Sequence, residues 1–120
     1  MRVSINSSDL ECHSVEELEH IIQGRAKTPL DDIWMAGEEY YPCMAILKNR
    51  YLACVHYFEN GEGAMWQSVG NCSHEVSFLS GADEVIMPAN AVVTLDEAVA
   101  CAKAFWDKQK LPDFICCSEL

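Results

Sequence analysis

The middle of this sequence lacks basic residues altogether. There is no Lys or Arg between Tyr51 and Ala102, whereas that stretch holds Glu59, Glu62, Glu75, Asp83, Glu84, Asp96 and Glu97. The whole chain of 120 residues has a formal net charge of −11. Such a balance excludes a basic footprint for nucleic acid and disfavours an anionic membrane. It favours either steering of a basic partner or simple solubility, which many cytosolic proteins gain from acidic surfaces.

Long apolar runs are also missing. No stretch reaches the roughly 18 apolar residues that a transmembrane helix needs. The first residues predict no signal peptide, because Asp9 and Glu11 interrupt any apolar segment there. Hydrophobic residues nevertheless make up 50% of the chain, which predicts a single folded domain over residues 1–120.

Paired cysteine motifs are absent although Cys occurs seven times, at positions 12, 43, 54, 72, 101, 116 and 117. An odd number of thiols, several of them inside apolar stretches, favours a reducing cytoplasm over a secreted disulfide framework. No CxxC, HxxxH or HExxH spacing occurs, so we expect no zinc site. The Gly-rich segment around Glu62 is not a nucleotide-binding loop, because it places an acid where such a loop needs hydrogen-bond donors for the phosphates. The sequence therefore predicts neither a metal nor a cofactor.

Two helices have clear start signals. Ser14 followed by Glu17, and Thr94 followed by Glu97, have the spacing of a capping box. Each signal precedes apolar residues at helical spacing, and Gly24 is a plausible end for the first helix. Pro112 is expected to close the second.

Short runs rich in β-branched and aromatic residues predict strands. They are Val3–Asn6, Asp32–Ala36, Cys43–Lys48, Tyr51–Phe58, Ala64–Val69, Glu75–Leu79, Glu84–Met87 and Phe114–Cys117. Short turns join most of them, which favours antiparallel neighbours. The predicted fold is α+β, an antiparallel meander with two amphipathic helices packed on one face.

Catalytic patterns are weak. Cys54 and His56 lie two apart on a predicted strand and would share a face, which is the minimum for a cysteine nucleophile. Their apolar surroundings are more typical of a core, and nothing nearby offers an oxyanion site. The paired carboxylates fall at turns and helix starts, where they stay solvated and ionised. We therefore expect no enzyme. A small enzyme that uses Cys54 and His56 is kept as an alternative hypothesis, the third after the two binding functions given below.

Aromatic residues bordered by acids are typical of protein interfaces. One such loop follows the first central strand, and a second lies in the hairpin between Tyr57 and Trp66. The candidate partner-binding residues are Glu38, Glu39, Tyr40, Tyr41, Tyr57, Glu59, Glu62, Trp66 and Glu75. For any single ring, packing at the edge of the core is an equally good interpretation, and Trp34 and Trp106 are assigned to the core.

The layout also resembles the Imm1 family of polymorphic-toxin immunity proteins. The resemblance lies in the early helix, the short strands and the segments Val85-Ile86-Met87-Pro88, Val93-Thr94-Leu95-Asp96-Glu97-Ala98, Phe105-Trp106 and Lys110-Leu111-Pro112-Asp113-Phe114-Ile115. The chain departs from that pattern at Lys110 and Cys116-Cys117. The family has no catalytic residues, and its members inhibit toxins that include nucleic-acid deaminases and nucleases.

The resemblance implies a cytoplasmic immunity protein that blocks the active site of a cognate toxin with a basic face, in a one-to-one complex. A second hypothesis is an acidic adaptor or secretion-chaperone module of the same fold class. No nucleic acid and no membrane is expected as a partner in either case.

Overall fold

A computed structural model describes residues 1–6, 8–24, 30–62, 65–81, 83–109 and 117–119. The chain alternates short strands with two helices along this length. The elements are β1 (Arg2–Ile5), β2 (Ser8–Glu11), α1 (Val15–Gln23), β3 (Leu30–Ala36), β4 (Cys43–Asn49), β5 (Leu52–Phe58), β6 (Met65–Ser68), β7 (Val76–Ser80), β8 (Asp83–Met87), a 3-10 turn (Ala89–Ala91), β9 (Val93–Thr94), α2 (Leu95–Lys108) and β10 (Cys117–Glu119).

Both helices begin where the capping signals predict. The Ser14 hydroxyl accepts a hydrogen bond from the Glu17 amide at the start of α1. Thr94 and Glu97 form a complete capping box at the start of α2, each side chain accepting from the other residue's amide. Such caps satisfy amide groups that have no partner inside the helix. Gly24 ends α1 as expected, with its amide donating to His20 O.

The main sheet is antiparallel and runs in the order β10-β6-β5-β4-β3-β1-β2, with β9 pairing with β5. Strands β3 to β6 form the expected meander, since each pairs with its successor along the chain. The predicted α+β class is confirmed. Strand β2, which the sequence pattern missed, pairs with β1 and ends the sheet among the described residues.

The two helices pack on one face of this sheet. Alternate strand residues such as Ile33, Ile46 and Val55 point to that face, as the pleat requires. There they join Leu18 of α1 and Phe105 of α2 in the larger core cluster. Each of these side chains is almost completely buried.

Strands β7 and β8 leave the meander and form a separate two-stranded sheet. Phe78 packs against Leu47 and Cys54 in a second cluster, on the face of the main sheet that points away from the helices. The expectation that these strands continue one meander is therefore wrong. A second layer of core accounts for the difference, because Leu47 and Cys54 need a cover that the helices cannot supply.

No helix within the described ranges is long and apolar enough to cross a membrane. The expected ending at Pro112 and most of the expected strand Phe114–Cys117 lie outside the described residues. Cys117–Glu119 is a strand there and pairs with β6.

Candidate functional site

The two acidic–aromatic loops meet at one end of the sheet. In an antiparallel meander the β3–β4 and β5–β6 connections leave the sheet at the same end. The two loops touch: a methyl group added to Gly61 would lie only 3.2 Å from Tyr41 Cε2. The predicted loops therefore form one continuous surface rather than two separate ones.

This surface is open to solvent. Tyr40 is 77% exposed and Tyr41 is 45% exposed, both high values for large aromatic side chains. The acids of both loops are exposed as well. We call this set the acidic loop surface; its members are Glu38, Glu39, Tyr40, Tyr41, Glu59 and Glu62.

Arg2 on β1 fixes the β3–β4 loop from the neighbouring strand. Its Nε donates to Gly37 O at 3.2 Å, and its Nη2 donates to Glu38 O at 3.4 Å. The guanidinium carbon lies 5.0 Å from the centroid of the Tyr40 ring, within the range of a cation–π contact. These three contacts hold the main chain of Gly37 and Glu38 and the Tyr40 ring in a defined arrangement before any partner binds.

The other three candidate residues lie elsewhere. Tyr57 is 5% exposed and packs in the helix-side core, 5.7 Å from Trp66 and 6.3 Å from Phe105 between ring centroids. Trp66 is half-buried against the same core. Glu75 is exposed just before β7, beside the β7–β8 hairpin, which packs on Leu47 of β4. The structure thus brings six of the nine candidates together.

A groove of about 570 Å³ adjoins the acidic loop surface on the face of the sheet that points away from the helices. Trp34, Ala36 and Cys43 lie along it, and Tyr40 and Tyr41 form a wall. Burial raises the pKa of the Cys43 thiol, so this sulfur stays protonated at neutral pH. The other side of the groove is formed by β1 and β2, including Asp9 and Glu11.

Sequence reasoning missed Asp9 and Glu11 as site residues because it missed β2. The overlooked signal is the alternation of Ser8, Asp9, Leu10 and Glu11 two residues after β1. A second signal is Asn6, whose φ of 50° is a turn conformation that Asn tolerates better than most residues.

Cys54 and His56 do share a face, as expected. The Cys54 sulfur lies 3.7 Å from His56 Nε2, and the same nitrogen lies 2.9 Å from Gln67 Oε1. A catalytic imidazole needs one nitrogen for the nucleophile and the other for an orienting group. Burial lowers the pKa of His56, although the Gln67 hydrogen bond opposes this shift. Cys54 is fully buried, so this arrangement suits packing rather than attack on a substrate.

In the part of the chain that the structure describes, no group of three or more His, Cys, Asp and Glu side chains is placed to hold a metal ion. The acids of the loop surface spread over two loops and do not converge on one point. What the arrangement offers chemically is negative charge beside exposed aromatic rings.

Comparison with known proteins adds no assignment. No protein-family model matches the sequence, and no curated protein matches it either.

Proposed function

We propose that this chain is an immunity protein that neutralises a cognate bacterial toxin, a nucleic-acid-targeting deaminase or nuclease, in the cytoplasm. It binds the toxin tightly, one to one, and blocks its active site without doing chemistry of its own. The observation that carries the proposal is the acidic loop surface, where four exposed carboxylates surround two exposed tyrosines.

The charge of this surface suits the cleft of an enzyme that acts on nucleic acid. Such a cleft is basic because it must attract phosphates. Carboxylates from Glu38, Glu39, Glu59 and Glu62 can occupy the positions that phosphates would take, and their field speeds the encounter. The resemblance of the late segments to immunity proteins is the second support.

The tyrosines supply what charge alone does not. Tyr rings bury a large area at a small entropy cost and are frequent hot spots in interfaces. Arg2 already positions Tyr40, so less conformational freedom is lost when a partner binds. Fast association and slow release are both needed to stop a toxin before it acts.

Binding is favoured over catalysis by the burial of the Cys54–His56 pair. Cys54 is 0% exposed and His56 is 7% exposed, so no substrate reaches them without opening of the core. The acids of the loop surface are exposed, whereas general acid–base catalysis needs a carboxylate held in an apolar pocket.

The first test is co-expression with the C-terminal domain of the protein encoded next to this chain. We expect a stable one-to-one complex that rescues growth of the host and weakens as salt is raised. A toxin domain that still kills, with no complex on co-purification, would contradict the proposal for that pair. The adaptor hypothesis would then be the one to pursue.

A charge variant separates electrostatic steering by the acidic loop surface from the effect of the overall negative charge of the protein. Glu38→Gln with Glu59→Gln removes two charges from the loop surface and should slow association by roughly tenfold or less, mostly at low salt. The measurement is the association rate by surface plasmon resonance at two salt concentrations. Asp83→Asn with Glu84→Gln on β8 removes the same charge away from the loops and serves as the control. Equal slowing in both variants would count against this interface.

A further inference from the structure

The outer strand β2 has one side with which no described strand pairs. The register of β1 with β2 shows which main-chain groups point to that side. Cys12 N donates to Met1 O at 2.9 Å, so Met1 and Cys12 are a hydrogen-bonded pair. Hydrogen-bonded and non-hydrogen-bonded pairs alternate along an antiparallel ladder. The amides and carbonyls of Glu11 and Asp9 therefore point outward, away from β1.

The side chains of these two residues point into the groove. Glu11 lies opposite Arg2, and Asp9 lies opposite Ser4, and directly opposed residues share a face of the sheet. All four line the groove described above. Leu10, between them, packs against the helix-side core and anchors the strand from the other face.

Carboxylates dominate the charge around this edge. Asp9, Glu11, Glu38 and Glu39 are all exposed on or beside the groove. Among the described residues, the positive groups facing them are Arg2, which is held by loop carbonyls and Tyr40, and the Met1 amino group, 3.1 Å from Glu11 Oε1. A second copy of β2 would bring its own acids against these and be repelled.

From this geometry we propose that β2 is a docking edge for an extended basic segment of the partner, which adds to the sheet as a further strand. The outward amides and carbonyls of Asp9 and Glu11 bond its main chain. Its alternate side chains, Lys or Arg, extend into the groove toward the Asp9 and Glu11 carboxylates and the Tyr41 wall. Main-chain pairing supplies affinity and the groove supplies specificity, as in other β-strand additions. The inference rests on the proposed function, because it names the part of the partner that this chain holds.

A proline substitution tests the edge directly. Asp9→Pro removes an amide that points outward and leaves the β1–β2 hydrogen bonds in place, which edge strands tolerate. Asp9→Asn keeps the amide and removes only the charge. The probe is a short end-blocked peptide of alternating valine and lysine, titrated into the ¹⁵N-labelled protein.

For the wild-type protein we expect amide shift changes confined to Ser8–Glu11 and the groove. Affinity should fall by about tenfold or more in Asp9→Pro, and less, with a weaker salt dependence, in Asp9→Asn. A peptide with Glu in place of Lys should not bind. A probe methylated on its backbone nitrogens should lose affinity too, and this tests the same pairing if Asp9→Pro does not fold.

Three results would overturn the inference: wild-type affinity in Asp9→Pro, shifts located away from β2, or a concentration-dependent dimer that pairs through β2. The toxin complex is measured separately. A toxin complex that forms equally well with Asp9→Pro would contradict the docking edge and leave the proposed function unaffected. Peptide binding at β2 without any toxin complex would support the docking edge and contradict the proposed function.

Discussion

At the scale of single residues, His56 is the titratable group with the most specific environment. It is largely buried, and its imidazole contacts the Cys54 sulfur and Gln67. Burial disfavours the charged imidazolium and lowers its pKa, while the hydrogen bond to Gln67 and the charge of Asp32 act in the opposite direction. Because the unfolded chain binds a proton more readily than the folded one, the two states respond differently to pH.

The folded protein should lose stability as the pH falls from about 6.5, the value for a solvated His, through the lowered pKa of His56. Above that pH range the neutral, buried His56 makes its full contribution to the free energy of unfolding. The measurement is the free energy of urea unfolding between about pH 8 and pH 5, in the wild type and in His56→Gln. The variant should show a shallower loss over this range. His74→Gln, which replaces an exposed histidine, is the control substitution; a slope in His56→Gln equal to that of the wild type would contradict the prediction.

At the scale of elements, one buried acid adds a polar contact to the apolar packing that docks the β7–β8 hairpin. Asp32 on β3 is 6% exposed. Its Oδ1 accepts from Trp34 Nε1 at 2.7 Å, and its Oδ2 accepts from the Gly81 amide in the hairpin turn at 2.7 Å. The side-chain oxygen of Asn6 accepts from the Asp32 amide, which links the β1–β2 turn to the same point. Three elements therefore meet at Asp32: its carboxylate bonds the hairpin turn, and its main-chain amide bonds Asn6.

Asp32→Ala should lower the free energy of unfolding by about 2–4 kcal/mol, because it leaves the Trp34 and Gly81 donors without their acceptor. Urea denaturation measures the loss, and hydrogen exchange at the Gly81 amide should accelerate. Asp83→Ala removes an exposed acid of the same hairpin and should change stability by no more than about 0.5 kcal/mol. Similar losses in the two variants would mean that Asp32 does not hold the hairpin.

At the scale of the whole molecule, charge and shape have different consequences. Two layers of core cover opposite faces of the sheet, and acids and aromatic rings are exposed together at the loop end, beside the β2 edge. The net charge of −11 also acts on folding, because like charges repel more strongly in the compact state than in the extended chain.

Added salt should therefore stabilise the folded chain. Raising sodium chloride from about 0.01 M to 0.5 M shortens the screening length from about 30 Å to a few ångströms. The melting temperature should rise by about 2–6 °C, which calorimetry can measure. The fourfold variant with Gln at positions 38, 39, 59 and 62 should rise less, since it begins with fewer repelling charges. A melting temperature that falls with salt would contradict this account.

Features that depend on near neighbours in the chain can be predicted from the sequence. Ser14 and Thr94 mark the helix starts because a cap needs only the residues three positions on. The central strands follow from alternation and turns, and their bounds agree with the structure to within about two residues. Glu38 to Tyr41 could be identified as an exposed candidate for the same local reason.

The face and the neighbours that each residue meets depend instead on packing between distant parts of the chain. Alternation places Tyr57 with Val55 on one face, but the position of Phe105 on α2 makes that face a core. The contact of Tyr41 with Gly61 depends on strand order, which periodicity leaves open. The groove beside β2 is left open because β7 and β8 form a separate sheet, which covers Leu47 and Cys54 and not the part of that face next to β2. These are contacts between residues far apart in the chain, and no local pattern encodes them.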